Sequence, residues 1–312
     1  MEKLNYFVSS RGVLHSATNH NQQPRSSDAS IDQDLIEKEY IRSIYVCTDA
    51  LENFSNEFLN RIQQKFNLVS GDSDIAIDAN FVNIESIGKI LEYPHLGNWF
   101  AQNLNIKNSK IRNLPIGMDY HTMWEKPGFW GLTKQSSIAQ ERSLINVLAN
   151  SGDTTNRYFT GYCNWQFAME RGNRKECYES IQKEFCYFEK NPVPRLTSWQ
   201  RQANCMFVVS PEGAGLDCHR TWEAILVGCI PIVKKSIFTE IFDDLPVIQL
   251  ESWSECNQKN IESLLNDIKD RPFNYSKMLL QYWDSLINDL EPKLLGPMTM
   301  REFKEYICHI SY

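Results

Sequence analysis

Residues Phe207–Val233, FVVSPEGAGLDCHRTWEAILVGCIPIV, constrain the fold more than any other stretch of this 312-residue chain. Phe207-Val208-Val209 is a continuous apolar run with β-branched residues, the pattern of a parallel strand buried on both faces. Ser210-Pro211 ends it. Glu212-Gly213-Ala214-Gly215 follows as a loop in which two glycines can take positive φ and let the backbone approach a ligand. Asp217 is placed to cap a helix that runs to about Val227. Trp222, Ile225 and Leu226 fall at i, i+3 and i+4 and face a sheet. His219, Arg220 and Glu223 share a different face near the helix start. Gly228 suits the residue just past a helix end, and Ile230-Pro231-Ile232-Val233 reads as a strand with its proline at the beginning.

A strand, glycine loop, helix N-terminus and strand in that order present backbone N–H groups and the positive end of a helix dipole to an anion. Arg220 adds a permanent charge in a fork that fits phosphate. Glu223, one turn deeper, is placed to accept from a ribose diol, so the unit suits a nucleoside diphosphate. Taken singly these features are bland. A Gly-x-Gly is as often a tight turn, a histidine is more often surface or core, and a helical glutamate is usually solvated. Their combination with the following Gly-x-x-Pro strand carries the reading.

The rest of the chain alternates strands and helices, which implies parallel sheets with helices on both faces. Tyr6–Ser9 reads as a strand before a turn at Arg11-Gly12, and Ser16–Asp28 as a loop. Ser43–Cys47 is a buried strand. Phe54, Phe58, Ile62 and Phe66 recur every fourth residue as one helix face. Phe66–Val69 is a strand running into Ser70-Gly71-Asp72-Ser73-Asp74, Ile84–Leu91 a helix, and Arg112–Ile116 a short strand. Glu125–Gln140 has a weak pattern. The polar stretch Ser151–Arg157 marks a boundary, giving domains 1–152 and 153–312. In the second half strand Tyr158–Tyr162 precedes a helix opened by Arg171–Lys175, then strands Met206–Val209, Ile230–Val233 and Val247–Leu250. Asn260–Tyr312 is mostly helical and able to cross back to the first domain.

A hydrophobic fraction of 42% is enough for two cores. The net charge of −7, with no basic run, argues against nucleic acid as the main partner. The nine cysteines are scattered without a Cys-x-x-Cys pair, so neither a zinc site nor a disulfide framework is indicated. MEKLNYFVSSRG lacks the apolar core and cleavage site of a signal peptide, and no run approaches the ~20 apolar residues of a membrane span. A reduced, cytoplasmic protein is expected, with peripheral contact at the cytoplasmic membrane face left open.

SPEGAGLDCHRTWEAILVGCIPIV resembles the nucleotide-sugar motif of exostosin-like glycosyltransferases, which show Ser/Cys-Pro-Arg-Gly-x-Gly, an Arg-x-Trp-Glu-Ala helix and Gly-x-x-Pro-Val. LPVIQLESW (245–253) is similar too, while SGDSD, Trp99–Asn103 and Leu114–Gly117 fit more loosely. The strong likeness covers about residues 204–253. It implies a GT-B fold, two Rossmann-like domains facing across a cleft, with the donor held by the C-terminal one. It implies a UDP- or GDP-sugar donor without a further cofactor or metal, and a glycan, glycolipid or glycoprotein acceptor. Glu212 stands where the family has arginine. Glu-Gly-x-Gly resembles retaining enzymes with a Glu-x7-Glu pair, but the spacing to Glu223 is three residues longer.

The donor-binding candidates are therefore Asn164, Arg174, Ser210, Glu212, Gly213, Gly215, His219, Arg220 and Glu223. Arg174 comes from the expectation that the loop after the first strand of such a domain supplies a basic residue to the diphosphate. An inverting transfer needs a base on the acceptor hydroxyl and positive charge on the leaving diphosphate. Asp74 is the preferred base, with Asp72 and His121 behind it, all following predicted strands. Asp72-Ser73-Asp74 is also the Asp-x-Asp of metal-dependent GT-A enzymes, which ranks lower because the second Rossmann-like half has no place there. A non-catalytic nucleotide-sugar binder is the main rival. A dinucleotide oxidoreductase ranks low, since the third glycine and the downstream acid are missing.

Overall fold

The computed structural model describes residues 2–78, 80, 84–126, 128 and 134–310; part of the weakly patterned 125–140 stretch lies outside them. The chain is α/β with two parallel sheets, one in each of two compact units. The first unit holds Met1–Ile116, Ala214–Asp217 and Leu279–Leu294; the second holds Gly117–Gly213, Cys218–Met278 and Leu295–Tyr312. This division falls well before residue 152, because the helix Ser137–Ala149 packs on the helices Arg195–Gln202, His219–Leu226 and Met300–Cys308 of the second unit.

The first unit carries β1 (Ser43–Cys47), β2 (Phe66–Gly71), β3 (Leu96–Ala101) and β4 (Ile111–Asn113) in simple sequential order, all parallel. Ile44, Val46, Leu68, Trp99 and Ala101 lie in one core with Phe54, Phe58, Ile87 and Ile90. Trp99 is fully buried and satisfies its indole N–H on Ser70 Oγ at 2.9 Å. The helix expected from Phe54 onward is broken up. Leu51–Asn53 is an α turn, Phe54–Phe58 a π turn and Leu59–Arg61 a 3-10 turn. A repeat of four drifts by about 40° per step around a 3.6-residue helix, and the wider π turn keeps Phe54 and Phe58 both buried. Tyr6–Ser9 is not a strand either: Phe7 makes a single bridge to Leu279, and Ser9 caps the helix Ser10–Ser16 by accepting from the Gly12 N–H. Leu279–Leu294 completes this unit. Asn67 Nδ2 donates to the Ile287 carbonyl at 3.0 Å, and Asn288 accepts from Ser43 Oγ at 2.6 Å.

The second unit carries β5 (Tyr158–Cys163), β6 (Cys186–Phe188), β7 (Cys205–Val209), β8 (Ile230–Lys234) and β9 (Ile248–Leu250), in the order β6-β5-β7-β8-β9, all parallel. Its core gathers Phe207, Val209, Ile230, Ile232, Trp165 and Trp253. Trp222 is fully buried against Phe242, ring centroids 5.2 Å apart, as the apolar face of its helix demands. The helix opened by Arg171–Lys175, expected to run through Phe185, covers only Arg174–Ser180. Among the described residues the C-terminal region holds three α-helices, Gln258–Ile268, Leu280–Ile287 and Met300–Cys308, with a 3-10 turn at Tyr275–Met278 between the first two. No helix among the described residues is long and apolar enough to cross a membrane.

Candidate active site

In the second unit β5 runs to β6 on one side and the chain then returns to β7 on the other, so the strand order reverses between β5 and β7. The crevice beyond the carboxyl ends of strands at such a reversal is where open α/β sheets bind ligands. Asn164 directly follows β5 and Ser210 directly follows β7. Asn164 donates to Ser198 Oγ at 2.9 Å, and Ser210 Oγ lies 2.8 Å from Thr221 Oγ1.

Two arginines converge on this edge. Arg174, the first residue of the helix Arg174–Ser180, donates to the carbonyls of Trp165 (3.2 Å), Ala168 (3.4 Å) and Glu212 (3.3 Å), tying the loop after β5 to the loop after β7. Arg220 donates to Ser210 Oγ at 3.3 Å and the Pro211 carbonyl at 3.1 Å. Both side chains are half-buried, and among the described residues no carboxylate lies within ion-pairing distance of either. Burial first, and then the like charge of Arg220, bring Arg174 down to about 10. A pair of half-buried cations without a counter-charge is unfavourable by itself and favours an anion.

The glycine loop is built around them. Asn173 Oδ1 accepts from the Glu212 N–H at 2.9 Å. Gly172 has φ +50°, and a Cβ there would sit 2.6 Å from the Gly213 carbonyl oxygen, so this glycine is required by close approach. Gly213 and Gly215 themselves do not lie at positive φ. Gly215 belongs to the first unit, where a Cβ would meet the Asn103 amide at 2.9 Å. The Glu212 carboxyl is raised by burial. Asp217 is not the helix cap. Its carboxylate accepts from the Ile116 N–H at 2.8 Å, its N–H donates to Asn103 Oδ1, and the helix begins after Cys218 without a side-chain cap.

Deeper in the second unit Arg195 joins two acids. It donates to Asp119 Oδ2 at 3.1 Å and to Glu223 Oε1 at 2.5 Å, while Trp199 Nε1 donates to Glu223 Oε2 at 2.9 Å. Burial alone would raise Asp119; Arg195 overcomes it, with His219 and His121 adding to the effect, and the carboxyl is held far below its usual range. Glu223 therefore has each oxygen occupied and only 7% of its side chain exposed, so its carboxylate is turned inward to Arg195 rather than presented to a ribose. His121 Nδ1 lies 3.4 Å from Asp119 Oδ1. The His121 and His219 rings are 6.2 Å apart edge to face, and His219 Nδ1 is 2.7 Å from the Gly117 carbonyl. His121 is thus gathered with the helix start that carries Arg220.

The first unit holds the other two acids. Asp72 is buried, has φ +56°, pairs with Arg11 at 3.1 Å and accepts from Ser26 Oγ at 2.8 Å. Asp74, two residues on, is exposed. The two acids of Asp-x-Asp are therefore in opposite environments, one neutralised by a cation and one in water. Among the described residues no three His, Cys, Asp or Glu side chains come together as a metal site.

Sequence reasoning missed Arg195, Asn173 and Gly172. Pro194 just before Arg195 is a helix-start signal, but nothing local shows that its partners stand 76 and 28 residues away.

No protein-family model matches the chain, the exostosin-like family included. No curated protein matches it. A solved structure described as the crystal structure of an alpha1,3-fucosyltransferase aligns over 90% of this chain and 93% of its own, with 11% identity and a TM-score of 0.31. A likeness that low carries no argument about fold or activity.

Proposed function

We propose that this chain is a glycosyltransferase of GT-B type that moves a sugar from a nucleoside-diphosphate sugar to a glycan hydroxyl, with inversion and without a metal. The observation that carries the reading is the unpaired Arg174–Arg220 cluster at the strand-order reversal between β5 and β7. In this reading the two guanidiniums hold the diphosphate and take up the charge that develops as it leaves. Asn164, Ser210, Glu212 and Gly213 line the same strand ends. His121 is the better supported base of the three candidates. Asp119 lies beside its Nδ1 and is held ionised by Arg195, so the imidazolium formed on taking the acceptor proton has a counter-charge. Asp72 is already committed to Arg11.

The test is titration of the chain with UDP, GDP and their monophosphates, followed by a screen of UDP- and GDP-sugars for diphosphate release. A diphosphate is expected to bind at least ~10-fold more tightly than its monophosphate, and Arg174→Gln or Arg220→Gln to weaken it ~10- to 100-fold. Equal affinity in wild type and both variants would falsify the anion site. Binding without turnover of any donor would leave a nucleotide-sugar-binding protein instead. His121→Asn is expected to lower turnover ~100-fold or more with donor affinity retained; unchanged turnover removes it as the base.

A further inference from the structure

The helices Ser137–Ala149 and Arg195–Gln202 of the second unit pack against each other and leave an open cavity of about 490 Å³ beside them. That size falls within the range of about 300–1,000 Å³ usual for small-molecule sites. The first helix lines it with Ser143, Asn146 and Val147, which at i, i+3 and i+4 share one face. The second lines it with Leu196 and Gln200 at i and i+4. Ser151 and Asn204, each just beyond one of these helices, complete the wall. Charged residues make up 23% of the chain, yet among the described residues none lines this cavity. Its polar groups are unevenly committed. Ser143 Oγ donates to the Ala139 carbonyl at 2.9 Å, and Ser151 Oγ to the Leu148 carbonyl at 2.7 Å. A hydroxyl has one proton, so both serines offer only lone pairs to a ligand. The side-chain amides of Asn146, Gln200 and Asn204 are exposed and make no hydrogen bond among the described residues, so they offer donors and acceptors together. Val147 and Leu196 supply an apolar wall.

We propose that this cavity is a second ligand site, for a neutral carbohydrate with unmodified hydroxyls. An anion brings acceptors alone and would face lone pairs at both serines. The two cations behind Ser151 are already engaged. Arg157 donates to Ser151 Oγ at 2.8 Å and the Gly152 carbonyl at 3.1 Å. Lys304 donates to the Ser151 carbonyl at 2.6 Å and pairs with Asp153 at 3.6 Å. A cationic ligand would find no carboxylate on the wall, and an apolar one would cover the amides without pairing them. A sugar ring meets every group present. Its hydroxyls donate to the two serines and exchange hydrogen bonds with the amides, while its C–H face lies on Val147 and Leu196. None of these residues belongs to the diphosphate site, and the ligand class follows from the lining alone, whether or not that site turns over a donor. Leu196 and Gln200 each follow by one residue Arg195 and Trp199, which hold Glu223. The carbohydrate face is therefore turned about 100° around the helix from the face that holds Glu223.

Ligand-observed NMR and calorimetric titration of the full chain test the site. The probes are short uncharged oligosaccharides of glucose, galactose, mannose and N-acetylglucosamine, set against their sulfated and uronic-acid counterparts. At least one uncharged series is expected to bind, ~10-fold or more tightly than its sulfated counterpart. Asn146→Ala and Gln200→Ala should each weaken that binding ~3- to 10-fold. Both positions are exposed, so the variants should keep the wild-type thermal midpoint. Both should also keep wild-type affinity for UDP and GDP, which separates a failure here from a failure of the diphosphate site. No uncharged oligosaccharide bound at ~10 mM, tighter binding of the sulfated forms, or affinity indifferent to both substitutions would overturn the proposal.

Discussion

The Arg195 guanidinium donates to Glu223 with 9% and 7% of the two side chains exposed, and the same guanidinium holds Asp119. Three charges are thus buried as one unit, and removal of a member upsets its charge balance. Glu223→Ala should cost about 3 kcal/mol, read as a lower urea midpoint at unchanged slope. Arg195→Met should cost at least as much, because it leaves two acids facing each other. A Glu223→Ala midpoint within error of wild type would show that the bridge is not formed.

Asp72 and Asp74 should part company on mutation. Asp72→Asn breaks the buried ion pair with Arg11, for which about 3 kcal/mol is expected. Exposed Asp74→Asn should stay within about 0.5 kcal/mol of wild type. Equal denaturation midpoints for the two variants would refute the ion pair as drawn.

Acid sensitivity has a named source. His15 is lowered to about 4, by burial first and then by His20, with the N-terminus, Arg11 and Lys3 adding to it. Its unfolded value is near 6.5, so the unfolded chain binds the extra proton first. Stability from this residue is fully present above pH 6.5 and drains away as pH falls towards 4. Allowing for screening of a ring that is only half-buried, about 1.5 kcal/mol is at stake. His15→Gln should flatten the pH dependence of the thermal midpoint between pH 6.5 and 4, and a slope identical to wild type would count against it.

Two glycines make opposite predictions. Gly228 ends the helix His219–Leu226 at φ +78°, with its N–H on the Ile225 carbonyl and the Cys229 N–H on the Ala224 carbonyl, and a Cβ would meet Arg157 at 2.7 Å. Gly228→Ala should cost about 1–2 kcal/mol or more. Gly88 lies inside the helix Ile84–Glu92 with nothing within 4 Å of a Cβ, so Gly88→Ala should add about 0.5–1 kcal/mol. Chemical denaturation of both variants checks the pair, and a shared sign would contradict it.

What the amino-acid order shows in advance follows the range of the forces involved. β1 and the run Phe207–Val233 are legible because continuous apolar residues and a glycine stop are local signals. β3 is obscured by Gly97-Asn98 near its start, two residues that weaken a strand pattern, and β6 by having only three residues. Arg174 and Arg220 are flagged by type and position. Glu223, by contrast, looks like a ligand-facing acid until Arg195 and Trp199 are brought to it. Asp217 looks like a helix cap until the Ile116 N–H claims it. Local chemistry names the polar residues; only long-range closure decides which of them are already satisfied.

The first unit is assembled from segments that leave the ribosome far apart. Its four strands lie before Ile116, yet the segment that covers β1 and β2 is Leu279–Leu294. At about 5–20 residues per second, translation leaves those strands without their cover for on the order of ten seconds or more. A nascent chain stalled after Asp217 should accordingly expose β1 and β2 to protease, while the same chain released after Leu294 should protect them. The half of the protein made first is therefore the half that finishes late, a built-in interval in which a holding chaperone has something to do.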